Sequence, residues 1–108
     1  MNMSSETTDI TTIISERIAG RKTRLVVEDP SNMDELRAVV QRKAEQLCSD
    51  DWWSTAQWSG RWRDFGWSDD DKPTREMLAV SIAAEEVAKS EYAKGNKGAA
   101  TWLAAALT

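Results

Sequence analysis

Apolar residues recur along this chain at helical spacing. In residues 8–20, Ile10, Ile13, Ile14 and Ile18 fall at 0, +3, +4 and +8, one face of a helix. Thr8 or Asp9 can cap its start, and Gly20 can end it in the left-handed conformation. The segment also has a strand reading, because Ile and Thr favour strands and Ile10, Ile14 and Ile18 share one parity. A turn at 19–22 would then make about 10–27 a β-hairpin and the class α+β. The helix is the preferred reading. Arg21, Lys22 and Arg24 follow as a basic loop, and Leu25, Val26 and Val27 as a short apolar run able to lie extended on the core.

The clearest helix is 31–48, where Met33, Leu36, Val40, Ala44 and Leu47 recur at three and four. Ser31 with Asp34, or Asn32 with Glu35, offers a capping arrangement after Pro30. Cys48 continues the stripe and reads as a small core residue. A long helix is predicted over 73–94, with Pro73 in its first turn and Met77, Val80, Ala84, Val87 and Ala88 on one face. Leu78 and Ile82 widen that band, which implies more than one packing neighbour. Glu85 and Lys89 stand at i, i+4, a favourable ion pair. Gly95-Asn96 ends the helix, and a short helix over 97–108 carrying Trp102, Leu103 and Leu107 closes an αα-hairpin. Tyr92-Ala93-Lys94-Gly95-Asn96 and the Ala-rich segment after it resemble the turn of helical-hairpin repeats of the tetratricopeptide kind. The likeness occurs once, and repeat architectures need several copies, so it implies a helix hairpin and no more.

Between these helices runs DDWWSTAQWSGRWRDFGW, residues 50–67, holding Trp52, Trp53, Trp58, Trp62, Trp67 and Phe65. One buried aromatic removes roughly 150–250 Å² from water, so this stretch weighs heavily in a domain of this size. Trp58, Trp62 and Phe65 share a helical face, while Gly60 and Gly66 interrupt it. A short or broken helix over about 50–64, ending near Gly66, is expected. The rings form either a small core under the flanking helices or, in part, anchors for a partner. Trp and Arg dominate interface hot spots, and Arg61 and Arg63 flank Trp62. Together these elements predict an all-α bundle of four to five short helices around a Trp-rich core, spanning 8–108 after a disordered tail at 1–7.

Composition narrows the chemistry. The chain has 108 residues, one Cys and no His. Without His, the commonest general base and metal ligand is missing, and Cys/His zinc sites are excluded. A single Cys allows no internal disulfide, as expected of a cytoplasmic protein. Neither a secretory leader nor a membrane-spanning segment is expected, since MNMSSETTDI has no basic region followed by an apolar run and no stretch reaches 18 apolar residues. Phosphate-loop and dinucleotide glycine patterns are absent, and adjacent acids such as Asp50-Asp51 point apart on a helix. Asp69, Asp70 and Asp71 lack the spacing of a calcium loop and read as capping and solvation. No enzyme, metal or cofactor is therefore expected.

The formal charge is −4 and the isoelectric point about 4.8, which disfavours nucleic acid as a partner. The expected function is a non-enzymatic interaction module, a stoichiometric inhibitor or adaptor of the kind phages and plasmids encode. Its candidate surface joins Trp52, Trp53, Trp58, Trp62, Arg61 and Arg63 to an acidic rim of Asp50, Asp51, Asp64, Asp69, Asp70 and Asp71. Such a rim implies a protein partner with a basic surface. Two alternatives remain. One is a single-stranded nucleic-acid binder that stacks bases on Trp and contacts phosphates through Arg61, Arg63, Arg21, Lys22 and Arg24. The other is an assembly subunit, such as a homodimer, with the Trp face buried between copies.

Overall fold

A computed structural model of the chain describes residues 9–21, 29–49, 61–71 and 73–108. The elements in order are α1 (Ile10–Arg21), α2 (Met33–Ser49), a 3-10 helix η1 (Arg61–Phe65), α3 (Arg75–Ala93) and α4 (Lys97–Leu107). There is no strand among the described residues, so the fold is all-α. The expected tail at 1–7, the run at 25–27 and the side chains of Arg21, Lys22 and Arg24 lie outside the described residues.

The hairpin alternative for the N-terminal segment is overturned over 10–21. Asp9 Oδ1 accepts the Thr12 N–H at 2.8 Å, satisfying a donor that helix geometry leaves open. That bond holds the Asp9 carboxyl below its ordinary value. Ile10, Ile13 and Ile14 bury together, which period-two alternation could not do. Gly20 does not stop α1; it lies inside the helix, which runs to Arg21.

Helix α3 is the organising element and packs against α1, α2, α4 and η1. Leu78 through Ala84 are all buried. A helix can be covered on every side only where its side chains leave room, and here Ala79, Ser81, Ala83 and Ala84 do so. The main core joins Ile14, Leu36, Val40, Val80, Trp102, Leu103 and Leu107 among others. Within it, the fully buried Trp102 donates its indole N–H to Asp29 Oδ1 at 2.9 Å. A smaller cluster of Trp62, Leu78 and Ile82 takes Leu47, Phe65 and Trp67 at its edge. Among the described residues the main core is aliphatic and alanine-rich around Trp102, and Trp62 serves a separate satellite.

Among the described residues two glycines have positive φ, Gly66 at 96° and Gly95 at 93°. Each sits just past a helix end, and the same pair of bonds closes both ends. After η1, Trp67 N–H reaches the Trp62 carbonyl and Gly66 N–H reaches that of Arg63. After α3, Asn96 N–H reaches the Glu91 carbonyl and Gly95 N–H reaches that of Tyr92. This is the Schellman arrangement, which needs a left-handed residue. Pro73 lies outside α3, not in its first turn. Thr74 is the cap, its Oγ1 accepting from Met77 N–H at 3.2 Å.

Glu91 reinforces the α3–α4 turn with its side chain. Oε1 accepts from Asn96 Nδ2 at 2.9 Å and Oε2 from Lys94 Nζ at 3.2 Å. The Asn96 bond, then that from Lys94, holds the carboxyl below its ordinary 4.5, against a smaller opposing effect of burial. The immediate neighbours cover the side chain to 9% exposure, but it lies close to bulk water, so desolvation is modest. A carboxyl with a depressed folded value stabilises fully above its unfolded value and loses that contribution as pH falls through the folded one. Glu91→Gln is therefore expected to lower the urea midpoint at neutral pH and to match the parent protein well below pH 4.5. A gap of equal size at both pH values would refute this.

Candidate interaction surface

The described part of the Trp stretch is the five-residue 3-10 helix η1 and the loop after it. In 3-10 geometry residues i and i+3 eclipse, so Trp62 and Phe65 still share a side, as the helical spacing implied. Trp62 is buried on Leu78 and Ile82, while Phe65 and Trp67 are half-buried at the margin. Asp50, Asp51, Trp52, Trp53 and Trp58 lie outside the described residues.

Asp69 holds this element together. It accepts the Trp62 indole N–H at 3.1 Å on Oδ1. Arg63 brings Nε to 3.0 Å from Oδ1, and Nη2 to 2.8 Å from Oδ1 and 2.9 Å from Oδ2. The guanidinium also lies 5.5 Å from the Trp62 ring centroid. One carboxylate therefore satisfies a buried indole and a fork of charged donors. Asp69, expected on an outward rim, is exposed but has its carboxylate bound to Trp62 and Arg63 of η1.

Arg61 is likewise engaged within the chain. Its Nε donates to Asp64 Oδ2 at 2.9 Å and its Nη2 to Glu85 Oε1 at 3.0 Å. Its guanidinium lies 5.8 Å from the Phe65 ring centroid. Glu85 thus faces η1 and pairs with Arg61, where the i, i+4 spacing suggested Lys89. Both arginines have carboxylate partners, which leaves the turn with Asp70 and Asp71 exposed. The structure brings Arg61, Trp62, Arg63, Asp64 and Asp69 into one assembly, with Asp70 and Asp71 on its outer edge.

Arg17 is a residue that sequence reading missed. From α1 its Nη1 reaches Ser81 Oγ at 2.9 Å and the Leu107 carbonyl at 2.6 Å, and its Nη2 reaches the Met77 carbonyl at 3.1 Å. It also lies 5.8 Å from the Trp67 ring centroid. Burial pushes its proton affinity down, yet an arginine stays charged at neutral pH. Its acceptors are neutral and stand 60 to 90 positions away, so no local pattern announces them.

Cys48 is half-buried, and burial, helped by Glu76, pushes its thiol up to about 11. A thiol so rarely ionised is a poor nucleophile, in keeping with the core role read from its stripe. Among the described residues no group of three or more acids or Cys could hold a metal ion, and no helix is long and apolar enough to cross a membrane. Comparison of the chain with family models, with curated proteins and with solved structures finds no match.

Proposed function

We propose that this chain is a small interaction module that acts by binding, as a stoichiometric inhibitor or adaptor, and recognises a basic surface on a partner protein. The observation that carries this reading is the acidic turn beside η1. There Asp69 is locked to Trp62 and Arg63, the nearby arginines already have acidic partners, and Asp70 and Asp71 stand exposed. A fixed turn presents its charges at low ordering entropy, which favours affinity. Half-buried Trp67 and Phe65 lie next to it and supply the apolar margin that interface cores use. The engagement of Arg61 and Arg63 by carboxylates counts against phosphate contact through these two side chains.

The test is fluorescence anisotropy with a labelled nine-residue Lys-rich peptide, run beside a labelled oligo-dT. The peptide is expected to bind, and added salt to weaken it. The double substitution Asp70→Asn with Asp71→Asn is expected to weaken it roughly 3- to 10-fold, the effect of two exposed charges. Binding of oligo-dT without the peptide would replace this reading with the nucleic-acid one. Peptide binding unchanged by the double substitution would remove the acidic turn from the site.

A further inference from the structure

A cleft of about 370 Å³ opens between α2 and α3, near the far end of α3 from the Trp62 cluster. Ile82 and Glu91 are nine residues apart on α3, about 13 Å at 1.5 Å per residue. One wall is apolar, made by Leu36 and Val39 of α2 and Val87 of α3. Carboxylates stand on both sides, Glu35 from α2 and Glu91 from α3, with Asn96 beside the latter. Lys43 is held by Glu86 at 3.2 Å and Lys94 by Glu91 at 3.2 Å, so both cations in the cleft are already matched.

Those two pairs leave Glu35 as the unmatched acid of the cleft, and Glu91, though covered to 9% exposure, keeps spare acceptor positions. A carboxylate has about four acceptor positions. Glu91 has one donor on each oxygen, from Asn96 and Lys94. Glu35 adds a second carboxylate across the cleft. The complement to such a site has an apolar stem and a flat head bearing several N–H donors. Among protein side chains that is arginine, whose five donors can be shared between two carboxylates while its methylenes lie on Val39 and Val87. Lysine offers a point charge and no fork, and fits less well.

We infer that the α2–α3 cleft is an anchoring slot for an arginine side chain of a basic partner protein. The inference rests on the reading of this chain as a module for basic partners, but it concerns a different surface from the acidic turn.

The probe is the capped tripeptide acetyl-Gly-Arg-Gly-amide, titrated into the full-length protein and followed by NMR. Saturable shifts are expected at the side-chain amides of Asn32 and Asn96 and the methyls of Val39 and Val87. The Lys analogue should bind at least about threefold more weakly. Val39→Phe, which fills the slot without touching the bonds of Glu91, should weaken binding by about fivefold or more, and Glu35→Gln should weaken it less. Circular dichroism of each variant establishes that it is folded. Absence of saturable shifts, or equal binding to Val39→Phe, would overturn the slot. The Asp70→Asn, Asp71→Asn double variant should take the tripeptide unchanged. Failure of the slot and failure of the acidic turn are thereby read separately.

Discussion

Trp102→Ala is expected to lower the stability of this protein by about 3–5 kcal/mol, as for other large-to-small changes at buried aromatics. The side chain is fully buried in the main core, among Val80, Leu103 and Leu107. Its loss opens a cavity, and the alanines of the same core, Ala79, Ala83 and Ala99, have no reach with which to refill it. It also removes the hydrogen bond that ties Asp29, just before α2, to α4. Domains of this size hold only about 5–15 kcal/mol in total. At roughly 4–8 °C per kcal/mol the midpoint should fall by about 12–40 °C. Trp102→Phe separates the two effects, since it keeps most of the volume and loses the hydrogen bond, at a cost of about 1–2 kcal/mol. Urea denaturation followed by circular dichroism gives both numbers. A loss below about 1 kcal/mol for the alanine variant would mean that α4 does not pack as described.

Arg17→Ala should be the next most damaging change, at about 2–4 kcal/mol, because one residue serves three acceptors with charged donors. The Leu107 carbonyl is in the last turn of α4, where helix geometry supplies no N–H, and the positive guanidinium also suits that end of the helix dipole. Ser81 can soften the loss by turning its hydroxyl to the carbonyl four residues back, a bond open to Ser within helices. Arg17→Lys should recover less than half of the deficit, since one ammonium cannot hold acceptors on two helices in the geometry of a fork. Because the contacts are half-buried, salt should change the deficit little. Equal stability of Arg17→Ala and the parent in urea would show that these bonds merely replace solvent.

The helices were legible because their signals are local. The stripe through Leu36, Val40 and Ala44 gave α2 to within a few residues, and the band from Met77 to Ala88 anticipated a helix touched from several sides. Gly66 and Gly95 marked the two ends where a left-handed residue is required. Gly20 misled, since a glycine inside a helix costs only about 1 kcal/mol relative to alanine, which the packing of Ile10, Ile13 and Ile14 can offset. Polar partnerships were much harder to foresee. Nothing in the spacing of Arg17, Ser81 and Leu107 announces a contact, nor in that of Asp29 and Trp102. Asp69 looked like one of three equivalent acids; all three are exposed, and only the fold singles out the one that holds Trp62 and Arg63. Charge patterns showed how much acid the chain carries, not which carboxylates were already engaged.

The reach of Arg17 also bears on how the protein is made. Its acceptor on α4 lies 90 positions downstream, so during synthesis α1 leaves the ribosome long before the surface it rests on exists. Until Leu107 has emerged, the isoleucines of α1 can pack only on α2 and α3, and the face that α4 covers stays open. Removing the last turn of α4 would therefore loosen the hold on the first helix. A nascent chain arrested before that point should remain open to protease at its N-terminal end, and become resistant once α4 is complete.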